Sequence, residues 1–256
     1  FEYKTTSLAA SVRWSLSLCS EAEQQLLYAV AYLTDGFTED CANRIAICIL
    51  NQGGQTIRST THLCDASLLQ PNPHGRYRLI ESVRTQIEES ANLNGDHHLE
   101  RCIDALSEEI SLLGCDGVFE PTHENLTALE SERGNVRRLV ARALAGSNPT
   151  LQMKGLILLS EYMPALYRIE MPHSVVGTYE VYLQKAHLLP LPLACRLVRF
   201  IARAKWGIGQ WNEAAHIIHN LVETNRASFR LINSADIEWD WGDRCELSLL
   251  LADRVR

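Results

Sequence analysis

The chain has 256 residues, a net charge of −7 and a pI near 5.7, which disfavours nonspecific binding to nucleic acid or to an anionic membrane. Its length allows two modest domains, each with its own core. No signal peptide opens the sequence, and no apolar run reaches the roughly 20 residues that a membrane helix needs.

The first residue is Phe1, and the last four, Asp253-Arg254-Val255-Arg256, continue a helix-like pattern. The expectation is a piece of a longer cytoplasmic protein. The cysteines are Cys19, Cys41, Cys48, Cys64, Cys102, Cys115, Cys195 and Cys245. None forms a CxxC pair, and most fall at apolar-face positions, as Cys48 does in IAICIL. Scattered spacing in a helical chain reads as buried, reduced thiols.

Taken in order, Thr5–Leu18 has helical spacing. Ser20 with Glu23 forms a capping-box pattern ahead of Leu26, Leu27, Val30 and Leu33. Asp35-Gly36 ends that helix, and Thr38 with Glu39 and Asp40 opens the next, through Ile45 and Ile49. Gln52–Gln55 is a Gly-Gly loop, and Thr60–Leu69 reads as a short third helix. Pro71–Gly75 is turn chemistry. After it, Gly75–Arg84 (GRYRLIESVR) alternates as a short strand before changing to helical spacing. The Tyr77/Leu79 face should enter the core and the Arg76/Arg78 face should meet solvent or another domain. Three helices followed by a hairpin wing predict a winged-helix subdomain.

Asn92–Asp96 is a polar break, and His98–Leu113 is amphipathic. Gly114–Thr122 is a second break. The remainder reads as helices over Asn125–Ala145, Thr150–Arg168, Ser174–Leu188, Leu193–Trp206, Gln210–Glu223 and Asn233–Arg254. Paired helices with short turns suggest a repeat array, with a generic α-hairpin as the alternative. In the clearest unit, Ala194–Glu223, Ala202, Trp206, Gly209, Trp211 and Ala214 follow a tetratricopeptide-like (TPR-like) pattern. Small residues would sit where helices cross and an aromatic would fill the turn. The expected fold is therefore mainly α: residues 1–19 end a preceding helical domain, 20–92 form the winged helix, 93–120 a linker helix, and 121–256 TPR-like repeats.

Four blocks in order resemble one family. Ser11–Ala42 is similar to the segment that opens the winged helix of signal-transduction ATPases with numerous domains (STAND). His62–Leu69 (HLCDASLL) resembles the block that follows it there, and GRYRLIESVR resembles that family's wing. Leu129–Leu144 (LESERGNVRRLVARAL) is similar to the start of its helical repeats. The resemblance implies a bacterial-type regulatory ATPase whose ATP/ADP-binding core would lie upstream of Phe1. The chain itself contains no P-loop, so no ATPase activity of its own is expected. Some relatives carry Met-His-Asp at the end of the wing, with the His beside the nucleotide. The matching residues here are Leu79, Ile80 and Glu81, and Ile80 cannot donate a hydrogen bond to phosphate. Glu81 and Arg84 remain as contacts to the upstream core, against a simpler reading as wing-to-helix packing.

Arg58, Arg76 and Arg78 are candidates for an interdomain surface or a DNA wing. Across Ser20–Ser90, however, nine acidic residues face five basic ones, and Asp65 lies in the would-be recognition helix. DNA binding is therefore the second reading, as a winged-helix transcription factor with a helical effector domain. A hydrolase on an α-solenoid ranks last, because no Gly-x-Ser-x-Gly elbow occurs. His97, His98, Cys102 and Asp104, and the pair His216 and His219, lack matching ligands nearby in sequence and read as surface or core residues. Trp239-Asp240-Trp241 reads as helix packing. The partner expected on the repeats is a protein or a small-molecule inducer.

Overall fold

The computed structural model describes residues 2–50, 60–72, 75–89, 96–114 and 121–225. Arg58, the Gly-Gly loop and the expected helix Asn233–Arg254 lie outside them. The described residues are mainly helical, with twelve α-helices and a three-stranded antiparallel sheet. They divide into two compact units, residues 1–109 with 134–146, and residues 110–133 with 147–256.

In the first unit, α1 (Glu2–Ser17) precedes α2 (Glu21–Val30). Ser20 caps α2: its Oγ accepts from Glu23 N at 3.2 Å, and Glu23 Oε2 accepts from Ser20 N at 2.8 Å. This reciprocal box satisfies two amides that would otherwise be orphaned at the helix start. The helix ends at Val30, short of the expected Leu33, in tight turns such as Leu33 N to Val30 O. Gly36 then turns the chain at φ +84° into β1 (Phe37–Thr38). Thr38 Oγ1 accepts from Cys41 N and so caps α3 (Glu39–Leu50).

The helix expected over Thr60–Leu69 is shorter, and its end is a strand. α4 covers Thr60–Asp65, and β2 covers Leu69–Pro71. Between them Ser67 is left-handed (φ 55°). Leu68 N bonds Leu63 O, and Ser67 N bonds Cys64 O. These two bonds make a Schellman stop, with buried Leu63 and Leu68 accompanying it. β3 (Arg76–Leu79) pairs with both other strands, giving the order β1-β3-β2, with Phe37 opposite Tyr77 and Leu69 opposite Leu79. α5 (Glu81–Glu89) follows.

The region expected as a linker contains α6 (Asp96–Leu112), whose residues up to 109 belong to the first unit. Leu99, Cys102, Ile103 and Leu106 on α6 are buried. Thr38 Oγ1 donates to Glu109 at 2.9 Å, and Arg44 pairs with Glu108 at 2.8 Å, fastening α3 to α6. The single helix expected over Asn125–Ala145 is two, α7 (His123–Ser131) and α8 (Arg133–Ala145), divided at Glu132. Almost all of α8 belongs to the first unit, where Val136, Leu139, Val140 and Ala143 are buried.

The second unit contains α7, α9 (Pro149–Ile169), α10 (Pro172–Tyr179), a 3-10 helix over Glu180–Leu188, α11 (Leu191–Gly207) and α12 (Trp211–Thr224). Asn148 caps α9 with Pro149 behind it, where a missing N–H costs nothing. Tyr162 donates its hydroxyl to Leu129 O at 2.5 Å, tying α9 to α7. Ser160 bonds Leu193 O, tying α9 to the start of α11. The long helix α11 packs against α9, α10 and α12. No described helix is long and apolar enough to cross a membrane.

Candidate functional site

The strongest candidate is a groove on the second unit, built from α9, α11 and α12. Along α11, Cys195, Val198 and Ala202 recur at helical spacing and meet Ala214, Ile218 and Val222 of α12 in one buried cluster. Ala202 and Ala214 are both buried, and small side chains there let the helices approach closely. Between the helices Gly209 adopts φ +83°, with open space where a Cβ would stand. The requirement at this turn is backbone conformation, not room.

Trp206 and Trp211 flank the turn, and here the structure corrects the expectation of an aromatic filling it. The two residues are 50% and 61% exposed, with ring centroids 6.4 Å apart. They line a groove of about 560 Å³ together with Tyr167, Arg203, Ala215 and Ile218. Arg203 lies over the Tyr167 ring, 5.8 Å from its centroid. Arg203 has no ion pair among the described residues.

The turn is held by Lys205, a residue that periodicity alone assigns to the apolar face. It is 1% exposed, and its Nζ donates to Glu180 at 2.8 Å, Glu213 at 2.7 Å and Gln210 at 3.2 Å. Three acceptors match the three ammonium protons. Burial alone would lower its pKa, but the bonds to Glu180 and Glu213 outweigh it, and the net shift is upward. The sequence signal is a lysine four residues after the buried Ile201, with acids on both sides in the chain.

The wing-strand residues divide differently. Arg76 is buried, in contrast to the solvent-facing position that alternation with Arg78 implies. Its Nη2 donates to Gly36 O at 2.8 Å, forty residues away, while Arg78 is exposed. Arg84 is also buried, bonds Ala31 O and sits 3.4 Å from Glu81 through Nε. Burial lowers its pKa. Glu81 is 84% exposed.

Asn135 is a site residue that sequence reasoning did not single out, although it lies in the GNVRR block. Its Oδ1 accepts from Asp35 N at 3.0 Å, and its Nδ2 donates to Gly36 O at 2.8 Å.

No three His, Cys, Asp or Glu side chains are grouped for a metal among the described residues. The His97 and His98 rings lie tilted at 43° to each other with centroids 3.9 Å apart. His98 is buried, and burial, then His97 and Arg101, push its pKa down to about 4. Cys102 donates to Ala29 O at 3.0 Å, and burial raises its pKa. His216 and His219 are exposed on α12. Cys48 is exposed, in contrast to the buried position that IAICIL suggests, because α3 turns Ile47 and Cys48 away from the Ile45/Ile49 face. The six described cysteines are free thiols.

No family model matches this chain, and neither a curated protein nor a solved structure matches it.

Proposed function

We propose that the chain is the regulatory and interaction region of a STAND-type signalling ATPase or transcriptional regulator. In this reading a winged helix docks on an upstream nucleotide-binding core, and TPR-like helices take a protein or small-molecule partner in the cytoplasm. The observation that carries it is the element order α2-β1-α3-α4-β2-β3 with strand order β1-β3-β2, which supports the winged-helix reading. A further support is Asn135, because it joins two of the blocks on which the family resemblance rests. The paired helices α11 and α12, meeting through Ala202 and Ala214, support the repeat reading. ATP or ADP belongs to the upstream core in this account, and partner binding shifts that core between closed and open states. Arg84 is committed to Ala31, so exposed Arg78 and Glu81 are the wing residues available to the core.

Against the DNA-binding alternative, the buried Arg76 guanidinium bonds Gly36 O and is withdrawn from phosphates. A salt-dependent DNA-shift titration of the 256-residue chain separates the two. The regulatory reading expects no band shift at physiological salt. Tight binding that weakens steeply with salt would overturn it.

A further inference from the structure

We infer that the α9–α11–α12 groove is a site for a small aromatic carboxylate, its ring held by the indoles and its carboxylate by Arg203; this rests on the partner-binding role proposed for the helical repeats. Two observations meet here. Large apolar side chains in contact with water mark binding surfaces when they cluster around a concavity, and Trp206 and Trp211 lie on one groove at half exposure or more. A volume of about 560 Å³ is that of a small-molecule site.

Aromatic faces alone would favour a cationic ligand. Arg203 reverses that preference. Arg203 is an exposed residue, its guanidinium lies over the Tyr167 ring, and it has no carboxylate partner among the described residues. The other cation at this turn, Lys205, is already saturated by Glu180, Glu213 and Gln210. An incoming carboxylate therefore finds a cation with no ion pair among the described residues beside an apolar wall, with the fork geometry that guanidinium offers to carboxylates. The small side chain of Ala215 lines the same groove as the indoles.

The probes are phenylacetate, the neutral phenylacetamide and the cationic phenethylamine, which share a ring and differ in charge. Binding to the full chain is read from tryptophan fluorescence. Phenylacetate should bind saturably at millimolar concentration or below, about tenfold more tightly than phenylacetamide, as a charge-assisted contact to Arg203 requires. Arg203→Gln should bring phenylacetate down to the affinity of phenylacetamide and leave phenylacetamide unchanged. Ala215→Trp, at an exposed position that tolerates a large side chain, should abolish the response to both. Unaltered thermal melts show that the two variants are folded. Absence of saturable phenylacetate binding, equal affinity for the three probes, preference for phenethylamine, or indifference to Arg203→Gln would each overturn the assignment. None of those outcomes bears on the DNA titration, so failure here is distinguishable from failure of the regulatory reading.

Discussion

Asn135 holds Gly36 from ninety-nine residues away. Its side-chain amide donates to the Gly36 carbonyl at 2.8 Å while its oxygen accepts from the neighbouring Asp35 amide at 3.0 Å. Arg76 donates to the same carbonyl, so the turn between α2 and β1 is gripped by both β3 and α8. A Cβ at Gly134 would overlap the Asp35 carboxylate, so α8 approaches this turn closely, and its Arg142 also lies over the Tyr32 ring, 5.7 Å from the centroid. In this way α8, distant in sequence, is fastened into the first unit.

Asn135→Ala removes both bonds from a buried site and leaves Asp35 N without its partner. The expected loss is about 2–3 kcal/mol, on the scale of unmade buried hydrogen bonds, read as a shift in the urea midpoint at unchanged slope. Asn135→Asp should cost more, because a carboxylate cannot donate to Gly36 O and would be buried with its charge. Equal stability of Asn135→Ala and wild type would show that the contact contributes nothing.

The two turn glycines provide a matched comparison. Gly36 and Gly209 share φ values of +84° and +83°, but a Cβ at Gly36 would lie 2.7 Å from Tyr77 O, whereas at Gly209 it meets nothing within 4 Å. Gly209→Ala should therefore cost only the left-handed backbone term, about 1–2 kcal/mol. Gly36→Ala adds a clash with strand backbone and should cost at least about 3 kcal/mol. Similar melting temperatures for the two variants would remove the distinction.

His98 should contribute to acid sensitivity. Burial among its neighbours His97, Arg101 and Tyr28 lowers its pKa from 6.5 to about 4. The unfolded chain therefore binds a proton that the folded one resists between those values. This contribution is complete above pH 6.5 and is lost as pH falls toward 4, amounting to about 3 kcal/mol at most. His98→Phe, which keeps a ring edge-on to Tyr28, should flatten stability against pH in that window while leaving the slope elsewhere unchanged. An unaltered slope in denaturant titrations across pH 4–6.5 would refute this role.

Thiol labelling should follow exposure. Among the six described cysteines, Cys48 is the exposed one, and Cys102 is buried, bonded to Ala29 O and raised in pKa by its burial. Because the thiolate is the reactive form, iodoacetamide should modify Cys48 first of these six and reach Cys102 only on unfolding. Peptide mass spectrometry over a labelling time course reads the order. Early labelling of Cys102 would contradict its placement.

What the amino-acid sequence determined by itself was local. Ser20 with Glu23, the Asp35-Gly36 break, the strand over Arg76–Leu79 and the mainly helical character are all set by signals within a few residues of each other. Tertiary structure decided where polar side chains find partners. Alternation places Arg76 beside Arg78, yet the long Arg76 side chain is buried because Gly36 O is within its reach. Lys205 is buried because Glu180, Gln210 and Glu213 converge on it. Trp206 and Trp211 have the spacing of packing residues, but no neighbouring helix among the described residues covers them. Periodicity records which face a residue occupies, whereas burial of a charge or exposure of an indole depends on atoms supplied from elsewhere in the chain.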